Sequence, residues 1–188
     1  MSELRPITAL GADAPRRDTI GTVTITEVDD RAIASVASRA GKGKAFEKAA
    51  KTLFGIAPPQ PGRWDGGADY ALIWTGPDQW FAEAPLATHE DIATLIKAGL
   101  GDTASVTEQT GGWCAFELSG GAVGAVMERL VPVDAARMQA GHATRSFAEH
   151  MGVIVICREA GRRFTLMAPR SFAGSLHHAL GAVARSVA

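Results

Sequence analysis

The sequence predicts an α+β fold of two pseudo-repeated β-α-β-β-α units, each two-layered, with mainly antiparallel sheets. Three observations predict it. The run Leu72 to Phe81, Leu-Ile-Trp-Thr-Gly-Pro-Asp-Gln-Trp-Phe, places turn chemistry between two apolar segments and holds two of the four tryptophans. Gly76 permits unusual dihedrals, Pro77 presets its φ and Asp78 can bond its local backbone, so the flanks should pair as a hairpin. A second hairpin follows late in the chain, with Val153 to Arg158 and Arg163 to Met167 around Glu159-Ala160-Gly161-Arg162. Each hairpin is preceded by a strand and a helix and followed by another helix, the order expected of a helix layer on one face of a sheet.

The elements follow in chain order. Residues 1–20 hold Pro6, Gly11 and Pro15 without periodicity and read as an irregular arm. The remainder, 21–188, reads as a single domain of two similar halves, about 21–105 and 106–188. Thr22 to Val28 sets Val23, Ile25 and Glu27 against Thr22, Thr24 and Thr26, and Ile33 to Ser38 is a second strand that can pair with it. From Lys44, the residues Phe46, Ala49, Ala50, Leu53 and Phe54 form one helical stripe, closed by Gly55. Ala57 to Gly67 is a Pro/Gly-rich loop leading to strand Asp69 to Trp74, the turn, and strand Trp80 to Ala84. Thr88 is placed to cap the next helix, with Glu90 and Asp91 in its first turn and Ile92, Leu95, Ile96 and Leu100 on its buried face.

In the second half, Gly112 to Leu118 reads as a strand. A helix from about Gly120 turns Val123, Val126, Met127, Leu130 and Val131 inward until Pro132 stops it. A long connection leads to the second hairpin. The last helix starts at Ser171 and buries Phe172, Leu176, Ala179, Leu180, Val183 and Val187.

Composition narrows the function. At 188 residues with a formal net charge of -1, the chain has no basic run of the kind that phosphate backbones require, so nucleic acid is excluded as a partner. No stretch is apolar for long enough to span a bilayer, and residues 1–18 lack the apolar core of a signal peptide. Cys114 and Cys157 lie in apolar runs far apart, without a disulfide framework or a Cys-x-x-Cys pair, which fits a cytoplasmic location.

Candidate chemistry is sparse. Gly41-Lys42-Gly43-Lys44-Ala45-Phe46 opens a helix where a phosphate loop would sit. Ala45 and Phe46 stand where a Gly-Lys-Ser/Thr ending or a third glycine is needed, and a solvated loop also accounts for the lysines. His177 and His178 diverge by about 100° on a helix, and no metal-binding histidine spacing occurs. Cys114 shares a face with Phe116 and Leu118, and Cys157 with Val153 and Val155, the placement of core residues. No close pair of carboxylates offers an acid with a matching base. Gly111-Gly112 bends the chain between Val106-Thr107-Glu108-Gln109-Thr110 and Trp113, either lining a pocket or linking the half-domains. No catalytic, cofactor-binding or metal residue is assigned.

An ordered set of motifs remains: Trp74-Thr75-Gly76-Pro77-Asp78-Gln79-Trp80; Val106 to Trp113 running into Phe116-Glu117-Leu118-Ser119-Gly120; Leu130-Val131-Pro132-Val133-Asp134; Gly141-His142-Ala143-Thr144-Arg145; and Arg170-Ser171-Phe172-Ala173-Gly174-Ser175-Leu176. In this order the chain resembles the gamma subunit family of heterotetrameric sarcosine oxidase. That family is similar in fold to the folate-binding domain of aminomethyltransferases, which implies the duplicated α+β architecture read above. The resemblance implies a non-catalytic subunit of a complex with alpha, beta and delta chains. That complex demethylates sarcosine oxidatively to glycine and passes the one-carbon unit to tetrahydrofolate. FAD, FMN, NAD and tetrahydrofolate are then expected in the partner subunits, with none in this chain. The alternative is a stand-alone folate-binding or one-carbon transferase module; a small hydrolase or metal enzyme using the histidines ranks behind both.

Overall fold

Strand Arg17–Ile20 (β1) begins the regular structure of a computed structural model that describes residues 6–188. The further elements are β2 (Val23–Val28), β3 (Arg31–Ser38), α1 (Gly43–Phe54), β4 (Trp64–Gly66), β5 (Ala71–Gly76), β6 (Gln79–Pro85), α2 (Ile92–Leu100) and β7 (Ala104–Glu108). They continue with β8 (Trp113–Gly120), α3 (Val123–Leu130), β9 (Ala143–Ala148), β10 (Met151–Glu159), β11 (Arg163–Pro169) and α4 (Ala173–Val187). The fold is α+β, with two mainly antiparallel sheets and four α-helices among the described residues.

One compact unit comprises Asp30–Gly111 with Gly141–Thr144. Its sheet has the order β4-β5-β6-β3-β7. The face toward the helices is built from small residues, Ala32, Ala34, Ala82 and Ala84 with Val36 and Leu72, and receives Phe46, Ala50 and Phe54 of α1 and Ile92, Ile96 and Leu100 of α2. Small sheet residues facing large helix residues let the two layers interdigitate at core density. The β5–β6 hairpin turns over Pro77-Asp78, Trp74 stands opposite Trp80, and Asp78 takes φ 56°. Trp80 stacks on Phe46 at 5.2 Å between ring centroids, and its indole N–H donates to the Pro59 carbonyl at 2.9 Å. The hairpin therefore anchors both helix α1 and the Pro-rich loop. Helix α1 ends as its stripe predicts, on Gly55 at φ 72° with its N–H donating to the Lys51 carbonyl.

The other unit comprises, among the described residues, 6–29, Gly112–Ala140 and Arg145–Ala188. Its sheet has the order β1-β2-β8-β11-β10-β9. Val23, Ile25, Phe116, Leu118, Val153, Val155, Phe164 and Leu166 pack with Val126, Met127 and Leu130 of α3 and Leu176, Ala179, Leu180 and Ala184 of α4. The β10–β11 hairpin closes over Ala160-Gly161-Arg162, with Gly161 at φ 67°.

Several expectations change. The arm is not irregular throughout: Arg17–Ile20 pairs with β2, and the part of the arm at residues 1–5 lies outside the described residues. The signal at 17–20 is faint because Ile20 is the strand's one apolar residue, as an edge strand allows. Thr22 to Val28 and Ile33 to Ser38 do not form a hairpin: β2 pairs with β1 and β8, and β3 with β6 and β7. For the same reason the units differ from contiguous halves at about 21–105 and 106–188, because β2 carries the chain up to Asp29 into the unit of β8. Two further strands, β4 in the Pro/Gly loop and β7 in the polar run before Gly111, form at sheet edges with mainly exposed residues. Leu95 and Phe172, expected inside, are exposed.

Candidate functional site

Glu27 has the most constrained carboxylate of the described residues that position the N-terminal segment. It follows Val23 and Ile25 on the core-facing side of β2 and is only 2% exposed. The backbone N–H groups of Leu10 and Arg16 donate to its Oε1 and Oε2 at 2.9 and 3.1 Å. A buried carboxylate is tolerable when both oxygens accept hydrogen bonds. From β11's end, Arg170 Nη2 donates to the carbonyls of Ile7 and Thr8 at 2.9 and 2.7 Å. The segment from Ile7 to Arg16 is thereby held at both ends. Between them the Thr8 hydroxyl accepts the Ala12 N–H at 3.2 Å, and Ala9 and Leu10 pack on the core.

Cys114 lies close to this clamp. Burial pushes its thiol up to about 11, with the Glu27 charge adding and the Arg170 charge opposing. Its Sγ stands 3.8 Å from the Pro169 carbonyl. Cys157 is also raised, by burial. Both thiols are protonated near neutral pH, and thiolate is the nucleophilic form.

A second cluster joins Asp18 of β1 to α4. Asp18 Oδ2 accepts from Arg16 Nε at 2.9 Å and bonds His177 Nε2 at 2.7 Å. The Arg16 hydrogen bond is the main reason the Asp18 carboxyl lies below its ordinary value; burial opposes it and His177 assists. The His177 ring rests against Phe116 at 5.6 Å. His178, adjacent on the helix, takes no part in this cluster, and no group of three metal-ligating side chains forms among the described residues.

The third cluster sits in the other unit, at the Gly111-Gly112 bend. Thr110 Oγ1 accepts the Ile33 N–H at 2.9 Å and donates to Glu108 Oε1. Glu108 Oε2 accepts the Ala93 N–H at 3.3 Å. Glu108 thus occupies the open N-terminus of α2, the place where Thr88 was expected, while the Thr88 hydroxyl donates to the Pro85 carbonyl. In the glycine-rich loop before α1, Lys42 Nζ pairs with Asp102 Oδ2 at 3.2 Å, so a loop carboxylate already occupies that lysine.

These groups mainly hold main chain: Glu27, Arg170, Glu108 and Thr110 all spend hydrogen bonds on backbone N–H or C=O groups. None was singled out as a site residue. Glu27 had a readable signal, a carboxylate in register with Val23 and Ile25, whereas Arg170 and Glu108 act through partners distant in sequence. No helix among the described residues is long and apolar enough to cross a membrane.

The fold has solved counterparts. The chain is similar to heterotetrameric sarcosine oxidase from Corynebacterium sp. U-96, solved in complex with pyrrole 2-carboxylate, with 19% identity and a TM-score of 0.77, over 88% of this chain and 85% of that one. It is similar to glycine cleavage system aminomethyltransferase T from Bartonella henselae, with 13% identity and a TM-score of 0.64, over 86% of this chain and 46% of that one. This chain therefore spans about half the length of the aminomethyltransferase. No family model matches the chain, and no curated protein matches its sequence. The fold class is that shared by these two proteins.

Proposed function

We propose that this chain is the gamma subunit of a heterotetrameric sarcosine oxidase, a non-catalytic cytoplasmic partner of alpha, beta and delta chains. The observation that carries this reading is the likeness to a sarcosine oxidase chain over most of both chains, 88% and 85%. The ordered motifs from Trp74 to Leu176 point the same way. Its role is to support oxidative demethylation of sarcosine to glycine, with the one-carbon unit passing to tetrahydrofolate; FAD, FMN, NAD and folate are assigned to the partner subunits. The clamps built from Glu27, Arg170 and Glu108 suit a subunit that presents a fixed surface. The reading includes an internal duplication, supported by matching strand orders: β4-β5-β6-β3-β7 in one sheet and β9-β10-β11-β8-β2 in the other, with β1 added at the edge. Coexpression with candidate alpha, beta and delta chains tests it. A yellow complex containing this chain and active on sarcosine is expected; full composition, flavin content and turnover without this chain, which then never co-elutes, would overturn it.

The likeness to an aminomethyltransferase favours one second reading, a stand-alone folate-binding or one-carbon transferase module. Titrating the isolated chain with tetrahydrofolate while following tryptophan fluorescence decides it, since that reading requires saturable binding.

A further inference from the structure

Helices α1 and α2 leave between them an open groove of about 530 Å³ lined by Ala45, Lys48, Ala49, Thr52, Leu53 and Gly99. The helices meet tightly at Gly99, where an added Cβ would come within 2.8 Å of both Leu53 methyl carbons. Ala49 and Ala45 lie one and two turns before Leu53 on the same face and are too small to fill the space beyond that contact. Leu95, one turn before Gly99, is 44% exposed and continues the apolar surface.

The lining argues against a small polar ligand. Its one hydroxyl, Thr52 Oγ1, donates to the Lys48 carbonyl at 3.1 Å. A small-molecule site needs enclosure and several converging polar groups, and this groove offers an open apolar floor with one ammonium at its rim. The charge there has one sign. Lys44 stands one turn before Lys48, and neither forms an ion pair among the described residues. Glu47, the only carboxylate of α1, projects about 100° round the helix from Lys48, and α2 contains none.

We infer that the groove is the docking surface for a helix of a partner chain, one that lays a leucine-sized apolar ridge against Ala45, Ala49 and Leu95 and sets carboxylates against Lys48 and Lys44. Helix-in-groove recognition works in this way, with apolar anchors supplying affinity and flanking charge supplying register. The inference rests on the reading of this chain as a subunit of a larger complex.

The test uses the tagged full chain coexpressed with candidate alpha, beta and delta chains. Ala45→Trp fills the groove, Lys48→Glu reverses its rim, and Arg162→Glu makes the same charge change in the exposed β10–β11 turn, outside the lining. Recovery of partner chains should fall about tenfold for each of the first two variants, as for loss of an interface anchor, and stay within about twofold for Arg162→Glu. Thermal melts matching the unaltered chain show that the variants fold. Recovery by Ala45→Trp and Lys48→Glu equal to that of the unaltered chain overturns the groove alone. Failure of the unaltered chain to capture any partner overturns the subunit reading and the groove assignment together. A dimer of the isolated chain that Ala45→Trp converts to monomer in sedimentation assigns the groove to a second copy and likewise overturns the inference.

Discussion

Glu27 and Arg16 hold one another twice: the Glu27 backbone N–H donates to the Arg16 carbonyl at 2.8 Å, while the Glu27 carboxylate accepts the Arg16 backbone N–H at 3.1 Å. The same carboxylate reaches Leu10, so one buried side chain closes a loop of the N-terminal segment. Glu27→Ala removes both charged hydrogen bonds and leaves two N–H groups without their acceptor. Urea unfolding should show a loss of about 2–3 kcal/mol, with faster proteolytic cleavage between Ile7 and Arg16. Unchanged stability and cleavage would show that the clamp is incidental.

Asp18 links stability to acid pH. Its carboxyl lies below the ordinary 3.8, chiefly because Arg16 donates to it. A depressed folded value adds stability that is complete above the unfolded value and is lost as pH falls from 3.8 through the folded value. Asp18→Asn should therefore be less stable than the unaltered chain at about pH 6 and should lose less on acidification to about pH 3. Equal pH slopes for the two proteins would contradict this assignment.

Gly120 at the end of β8 has φ 127°, and a Cβ there would collide with the Thr22 carbonyl oxygen. Both a strained dihedral and a backbone clash act against any side chain at this point, where β2 meets β8. Gly120→Ala should cost at least about 2 kcal/mol in denaturant unfolding, whereas Gly124→Ala, in the open on α3, should be neutral or stabilising.

Thr110 carries the bend at Gly111-Gly112. Its hydroxyl satisfies the buried Ile33 N–H and orients Glu108 at the start of α2. Thr110→Val keeps the shape and removes the acceptor, for an expected loss of about 1–3 kcal/mol; Thr110→Ser should retain most of the stability. A larger loss for Thr110→Ser than for Thr110→Val would point to the methyl group instead.

Cys114, with its thiol raised to about 11, should resist alkylation at about pH 8 in the folded chain. Mass spectrometry should find Cys114 and Cys157 labelled only at the rate of unfolding. Rapid native labelling of Cys114 would mean that the Ile7 to Arg16 segment opens readily.

Much of the fold was legible because its signals are local. The stripe Phe46, Ala50, Phe54 closed by Gly55 marks α1, and Gly76-Pro77-Asp78 marks the first hairpin, each within one or two turns of chain. The two-sided burial of Leu72 and Ile73 also follows from an uninterrupted apolar run. The edge strands β1, β4 and β7 were not legible, since an edge strand buries little and has little periodicity to show. Phe172 illustrates the opposite error: it continues the apolar sequence into α4, but it lies in the turn before that helix, which leaves it outside.

What the sequence by itself determined is therefore the four helices, the β5–β6 and β10–β11 hairpins and the α+β class, because side-chain periodicity and turn residues act over a few positions. Only the tertiary structure decided that β2 joins β8 instead of β3, and that Glu27, Arg170 and Glu108 serve as clamps on distant backbone. Strand pairing and buried hydrogen bonds depend on which segments meet across tens of residues. That choice is made by the packing of two whole cores, and no local pattern encodes it.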